Sequence, residues 1–273
     1  MTVERLKAED VVLYSHYASI CSQRVRLALM EKQIPFKSVM LHYEKGETLS
    51  PTYLGINPRG VVPTVVADAE VVFDSATIVQ YLNNRYEGPE LLPGDDAAKE
   101  AIRHEIREAD AFPVQDHVYA GVVQRRADGS IQTDWNNAHI EKYIATMKDY
   151  KEKYPAFAEN YDLKIQDHEY QLTRVLDEEQ MAKTVALTNK TMDDLDVRLA
   201  KQDFIVGNTF SLADISWIPI FIRLHYVVKF RIWGDGLRSN LERYFDERIR
   251  TRPSFKPAIL DHYVGNIVPD GLA

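Results

Sequence analysis

From Val11 onward the chain alternates short apolar runs with stretches of helical spacing. Val11-Val-Leu-Tyr14 is apolar and β-branched, which predicts a strand. Val25, Leu27, Ala28, Leu29 and Met30 alternate with Arg24 and Arg26, which predicts a partly buried helix over about residues 21–32. A second strand is expected over about 36–41, followed by an irregular piece through Asn57-Pro58-Arg59-Gly60. Thr64-Val-Val and Val71-Val-Phe73 then form a strand pair joined through Asp68-Ala69, and helical spacing resumes at Ser75 with Ala76-Thr-Ile-Val-Gln-Tyr81-Leu82. A crossover helix followed by a hairpin is a βαβ…ββα plan, an α/β domain over residues 11–86 behind a flexible polar N-terminus at 1–10.

The pattern changes after Glu87-Gly-Pro-Glu-Leu-Leu-Pro-Gly94-Asp-Asp, where Gly, Pro and acid concentrate as in a linker, here residues 87–96. Residues 97–263 read as an all-α domain and 264–273 as a tail. Ala101, His104, Glu105, Ile106, Ala109 and Phe112 lie in one amphipathic pattern that Pro113 kinks or ends. Arg125 to Ser130 read as a loop; Ile140, Tyr143, Ile144 and Met147 recur at helical spacing before a polar run in which Tyr154, Tyr161 and Tyr170 are expected to pack under a long loop, with substrate contact as the alternative. This stretch, 121–175, is an extended insertion that either lengthens a helical hairpin or covers a pocket. Met181, Val185, Met192, Leu195 and Leu199 form an apolar stripe for the domain core. Ser211 and Asp214 have capping-box spacing ahead of Ile215 to Val228, which is apolar nearly all round and so reads as a buried central helix. The last helix starts within Arg252-Pro-Ser-Phe-Lys-Pro257.

At 273 residues, 45% hydrophobic and 27% charged, the chain is long enough for two modest domains. A net charge of −8 argues against a nucleic-acid partner, which needs a basic face. No apolar stretch approaches the roughly 18 to 20 residues of a membrane span, and residues 1–10 lack the apolar core of a signal peptide, so a cytoplasmic location is expected. The single cysteine excludes a disulfide framework, and no paired Cys or His spacing suggests a metal site.

That cysteine, Cys21, falls where the first strand turns into the first helix. Free N–H groups and the positive helix end favour an anion there, which raises the thiolate fraction of a thiol. Arg24 occupies the position of a Cys-x-x-Cys partner, so redox or nucleophilic chemistry at Cys21 needs a second sulfur from outside, and a small thiol such as glutathione supplies one. The plainer reading is a small packed residue in a first helical turn. Two features weigh against it. Val62-Pro63 opens a strand able to lie beside the Cys21 corner and offer the Val62 backbone to an extended peptide. Asp74-Ser75 opens a helix whose free N–H groups suit a carboxylate while Asp74 suits an ammonium, the two charges of an α-amino acid head group.

These elements, in this order, resemble the N-terminal thioredoxin-like domain of the glutathione transferase family, and the capped helix at Ser211-Asp214 resembles its helical C-terminal domain. The resemblance implies that Val62-Pro63 is the cis-proline step that pairs with the cysteinyl backbone of glutathione, that Asp74-Ser75 grips its γ-glutamyl end, and that Lys45 meets its glycine carboxylate. It also implies a homodimer. Ser19-Ile20-Cys21-Ser22 is similar to the active-site motif of tetrachlorohydroquinone reductive dehalogenase-like and zeta-class, maleylacetoacetate isomerase-like, members. By that analogy Ser19 hydrogen-bonds the glutathione sulfur and Cys21 performs a later thiol exchange on an aromatic conjugate, with Tyr17, His104 and Phe112 at the electrophile. Ile20 departs from the hydroxyl residue usual in the isomerases. Degradation of chlorinated or lignin-type aromatics by conjugation, thioether or aryl-ether cleavage or reductive dehalogenation is the implied activity. Cis-trans isomerisation stands as the alternative, and a non-catalytic protein-interaction member of the fold as the second.

Overall fold

The protein, a computed structural model, is described over residues 10–120, 123–125, 131–133, 135–263 and 268–272. Residues 1–9 of the N-terminus expected to be flexible, residues 126–130 of the expected loop, the side chain of Ile140 and residues 264–267 lie outside the described residues. Two compact units are distinguished: Met1–Met40, Val62–Phe112 and Asn189–Ala273 make the first, Leu41–Val61 and Pro113–Thr188 the second.

The first unit holds a four-stranded mixed sheet. Strands β1 (Val11–Ser15) and β2 (Phe36–Met40) run parallel, joined by helix α1 (Ile20–Glu31). A short helix, α2 (Pro51–Leu54), belongs to the second unit. Strands β3 (Thr64–Ala67) and β4 (Glu70–Phe73) then add antiparallel to β1, giving the order β2-β1-β3-β4. Asp68 and Ala69 make the tight turn between them, both at positive φ, 51° and 64°. Helix α3 (Ser75–Arg85) follows, capped by Asp74, whose Oδ1 accepts from Thr77 N at 3.0 Å. The βαβ…ββα order is therefore the one the apolar runs predict.

Helix α1 differs from expectation. Its sequence predicts a half-exposed face carrying Arg24 and Arg26, yet every residue from Ser22 to Leu29 is buried. The cause is a second layer of helices. Helix α1 packs against α3, against α9 (Leu212–Ile222) and against the short helix Phe255–Ala258, so no side faces water and both arginines must find partners inside.

Helix α4 (Asp96–Ala111) ends before Pro113, whose ring cannot continue it. Its buried stripe is Ile102, Glu105, Ile106 and Ala109. Glu105 is satisfied in place: its Oε2 accepts from Trp217 Nε1 on α9 at 2.9 Å, and it pairs with Arg198. Helix α9 is buried along its whole length, starts three residues before Ile215 and runs on as a wider π turn, Arg223–Val227. Both halves of its capping box form. Asp214 also accepts from Ile205 N at 3.0 Å and Tyr244 OH at 2.8 Å. Full burial pushes the Asp214 carboxyl up to about 6, against the pull of those donors.

The second unit is mainly helical, with a two-stranded antiparallel ribbon of β5 (Val123–Arg125) and β6 (Ile131–Thr133) that periodicity does not indicate, so Arg125 is in a strand rather than a loop. Helices α5 (Val114–Ala120), α6 (Trp135–Lys153) and α7 (Ala158–Arg174) complete it with the first half of α8 (Glu178–Leu199). Helices α6 and α7 form a helical hairpin turned at Pro155, as one of the two readings of 121–175 has it, and Tyr154, Tyr161 and Tyr170 lie in it rather than under a long loop. Tyr161 is fully buried in a cluster with Leu49, Leu54, Ile144, Met147 and Ile165, and Tyr154 packs on that cluster, whereas Tyr170 is exposed. Polar residues on the outer faces hid this helical spacing. The stripe assigned to α8 is also corrected in part: Met192, Leu195 and Leu199 are buried, but Val185 is exposed. Thr184 and Thr188 take the inner face there, bonded to Asp116 Oδ2 at 2.7 Å and His117 Nε2 at 2.8 Å.

Two stability predictions follow from these buried polar groups. Asp214→Ala leaves two N–H groups and a tyrosine hydroxyl buried without an acceptor, so urea unfolding is expected to show a loss of about 3–5 kcal/mol; a loss below about 1 kcal/mol refutes the cap's importance. The second concerns His168, whose Nδ1 lies 2.7 Å from Tyr119 OH. Burial, and then Lys164, push its imidazole from 6.5 down to about 4. The unfolded chain takes up this proton near 6.5 and the folded chain only near 4, so stability falls as the pH drops through that window, by about 3 kcal/mol at most. Unfolding measured at pH 6.5 and pH 4 is expected to show a smaller acid loss in His168→Gln than in the parent; equal losses count against it.

Candidate active site

The sheet register brings three chain corners to one end of the first unit. Tyr14, next to last in β1, lies opposite Thr64, the first residue of β3; Thr64 in turn lies opposite Phe73, the last residue of β4. The residues beyond those ends therefore emerge together: the turn into α1, the Val62-Pro63 step, which is cis, and Asp74-Ser75 at the start of α3.

The first corner is held by its backbone. Arg26, buried in α1, donates from Nη1 to His16 O at 3.2 Å, from Nη2 to Tyr17 O at 3.0 Å and from Nε to Ala258 O at 2.7 Å. Arg223 donates to Ala18 O, and Ser19 N donates to His16 O at 3.2 Å. Three consecutive carbonyls thus have donors, and the loop ahead of the helix is fixed. Burial lowers the Arg26 guanidinium to about 9, with Tyr263 working the other way.

Ser19 is the N-cap of α1, its Oγ accepting from Ser22 N at 3.2 Å. That bond uses a lone pair and leaves the hydroxyl proton to be donated elsewhere. Cys21 is the second residue of the helix, half-buried, in the first turn whose N–H groups lack intrahelical acceptors. Both residues stand at the start of α1.

At the third corner Asp74 takes a φ of 75°, a conformation uncommon outside glycine and better tolerated by Asp and Asn. Its Oδ1 accepts from both the N–H and the hydroxyl of Thr77, each at 3.0 Å, which leaves Oδ2 for a cation. Ser75 is buried. Its Oγ accepts from Arg24 Nη1 at 3.1 Å, and the same nitrogen reaches Asp110 Oδ1 at 2.8 Å. The sequence names Arg24 only as a polar position of a partly buried helix and as the residue standing where a second cysteine would be, not as a partner of Ser75; the Arg-x-Arg pair ahead of the apolar Leu27-Ala-Leu-Met30 run is the signal that was available.

The remaining candidates are placed less tightly. Tyr17 is half-buried, its ring 4.4 Å from that of His16 and edge-on to Tyr263 at 6.0 Å. His104 is exposed on α4. Phe112 is buried edge-on against Trp217 at 5.5 Å. Lys45 is exposed in the second unit, in a single helical turn, Tyr43–Lys45, and lines a shallow pocket with Tyr43, Lys142 and Tyr143. The structure thus gathers Ser19, Cys21, Val62, Pro63, Asp74 and Ser75 at one sheet end. Among the described residues, no group of three or more His, Cys, Asp and Glu side chains is placed to hold a metal ion.

This arrangement has counterparts in known proteins. The chain is 29% identical over 264 residues to a tetrachloro-p-hydroquinone reductive dehalogenase from Sphingobium chlorophenolicum, an alignment covering 94% of this chain and 99% of that one. It is 32% identical over 150 residues to a zeta-class glutathione S-transferase from Euphorbia esula, covering 54% of this chain and 66% of that one. Its fold matches the crystal structure of the β-etherase LigF from Sphingobium sp. strain SYK-6 with a TM-score of 0.71 at 23% identity, over 91% of this chain and 98% of that one. The family model for the glutathione S-transferase N-terminal domain matches residues 18–85, and that for the C-terminal domain matches residues 178–247. With half of its length under those two models and the corners of the sheet in this order, the chain belongs to the glutathione S-transferase family.

Proposed function

We propose that the protein transfers glutathione thiolate to aromatic electrophiles and then cleaves the resulting thioether, as in reductive dehalogenation or aryl-ether breakdown. The observation that carries this reading is the pairing of Ser19 and Cys21 on one helix start, a hydroxyl with a proton to give beside a half-buried thiol. Residues 11–86 form the glutathione-binding part of this reading and 97–263 the helical part. The Val62 backbone pairs with the cysteinyl unit of glutathione. Asp74 takes the ammonium and Ser75 the carboxylate of its γ-glutamyl end, and Lys45 takes the glycine carboxylate. Tyr17, His104 and Phe112 are assigned to the electrophile's side, and a homodimer in the cytoplasm is the working assembly.

Ser19 donates its proton in a hydrogen bond to the glutathione sulfur and favours the thiolate, which attacks the electrophilic carbon; the carbon–sulfur bond forms as the carbon–halogen or carbon–oxygen bond breaks, and halide or aryloxide leaves with the electron pair. In the second stage the Cys21 thiolate attacks the sulfur of the aryl conjugate. A sulfur–sulfur bond forms, the carbon–sulfur bond breaks, and the aromatic carbon leaves with the electron pair and takes a proton. A second glutathione thiolate then displaces Cys21, releasing glutathione disulfide. The relative named as a reductive dehalogenase, aligned over nearly the whole chain, supports this two-stage chemistry. Isomerisation of a maleylacetoacetate-like diene is the second reading, favoured by the zeta-class relative and disfavoured by Ile20.

The two roles separate by mutation. Ser19→Ala is expected to slow conjugation about 10- to 1000-fold with every electrophile, because a donor to a developing charge is lost. Cys21→Ser is expected to leave conjugation intact and to accumulate the aryl conjugate, measured by chromatography against halogenated hydroquinones and aryl ethers. Normal thioether turnover by Cys21→Ser would reduce Cys21 to a packing residue. At the binding end, Asp74→Asn keeps the cap and tolerates the positive φ but removes the charge facing the ammonium. Calorimetry is expected to give about tenfold weaker glutathione binding, and unchanged affinity rejects the assignment.

A further inference from the structure

We propose that Arg24 is a positioning residue for glutathione, acting through Ser75. The inference deepens the reading above, since it rests on Ser75 holding the γ-glutamyl carboxylate. Arg24 sits in α1 with its side chain only 6% exposed, and one of its nitrogens, Nη1, serves two acceptors: Ser75 Oγ at 3.1 Å and Asp110 Oδ1 at 2.8 Å. A guanidinium Nη carries two protons, one for each.

The consequence lies in the geometry of a serine hydroxyl, which has one proton and two lone pairs. Filling a lone pair with an Arg24 N–H turns the Ser75 proton away from the guanidinium. Ser75 is the first residue of α3, and the N–H groups of that turn have no carbonyl within the helix to bond. Hydroxyl and N–H groups therefore stand at the same helix end as donors for one anion. A carboxylate bound there gains a hydrogen bond from a hydroxyl polarised by a buried cation, which is stronger than one from a free serine. Asp110, whose side chain is 45% exposed, offsets the buried charge and keeps the guanidinium turned toward Ser75. Arg24 stands where Cys-x-x-Cys chemistry has its second thiol. The chain thus has a carboxylate-orienting cation in the place of an internal resolving sulfur, which fits a protein that draws both its sulfur and its resolving agent from glutathione.

A double-mutant cycle on the full chain tests this, with glutathione itself as the probe and affinity read by calorimetry. Ser75→Ala is expected to weaken binding about tenfold or more, and Arg24→Gln by a comparable factor. The double variant is expected to bind within about twofold of Ser75→Ala, because Arg24 has nothing left to orient. Arg24→Lys keeps the charge but loses the fork that reaches two acceptors, so it falls between parent and Arg24→Gln. Where Arg24→Gln does not fold, Arg24→Lys takes its place in the same cycle. If Ser75→Ala binds normally, the glutathione site itself is misassigned and the proposal falls with it. If Ser75→Ala binds weakly but Arg24→Gln binds normally, the site stands and the role of Arg24 is overturned. Additive losses in the double variant also overturn it, since packing damage does not depend on the Ser75 hydroxyl.

Discussion

Thr64 is paired on both sides, with Tyr14 of β1 and with Phe73 of β4, and the candidate site depends on that double register. A slip of one residue in either pair exchanges the two faces of β3 and moves Val65 and Ala67, both fully buried, to the face of the half-buried Val66. The register is thus held by core packing rather than by the site itself. Because all three strands end at the same level, their exits are neighbours without any further contact being needed. Catalytic residues on loops gain precision when the scaffold leaves the loops no freedom, and here the scaffold is three short strands.

Burial of helix α1 on every side has an electrostatic consequence. Two guanidinium groups are enclosed within the first unit, one paired with Asp110 and one bonded to three carbonyls. Partners of the second kind carry no formal charge: Arg26 is held by backbone dipoles. Replacing such a cation is not equivalent to replacing a surface arginine, because the carbonyls of Tyr17 and Ala258 lose the Arg26 donor, His16 O keeps Ser19 N, and the corner loses part of its rigidity.

The succession of strands and helices over residues 11–86, the start of α3 and the capping box were legible because each has a local cause: β-branched runs, a short polar residue before a helical pattern, and Ser-x-x-Asp spacing ahead of an apolar helix. What lay beyond reach was set by distant partners. Arg24 and Arg26 read as an exposed face because arginine is seldom buried, and only the helices packed around α1 make them internal. Helix α7 read as a loop because its inner face is carried by Tyr161 and Ile165 with polar residues between, too sparse a stripe to mark a helix. Val185 was assigned to a core that Thr184 and Thr188 occupy, since two threonines bonded to Asp116 and His117 look polar in sequence and behave as interior residues in the fold.

The second unit orders a segment of irregular backbone. Helix α7 holds the segment that leads to the cis-proline step: Asn160 donates to Pro58 O at 2.8 Å, and Lys164 donates to Arg59 O at 3.3 Å and to Gly60 O at 2.9 Å. Tyr53 and Asn57 both donate to Val61 O, at 2.7 and 2.9 Å. Four consecutive carbonyls, from Pro58 to Val61, are therefore occupied by side chains. Gly60 holds a φ of 57°, and a Cβ there meets Thr48 O and Leu54 Cδ2 at 2.9 Å, so the turn admits no larger residue without a shift. Burial lowers the Lys164 ammonium to about 8, the cost of drawing a cation inward to bridge two of those carbonyls. An irregular segment has no ladder to fix its backbone, and donors supplied by a neighbouring helix take the place of one. The next residue is Val62, whose backbone is the part proposed to meet the ligand, so order imposed on Pro58 to Val61 bears directly on how sharply that backbone is presented.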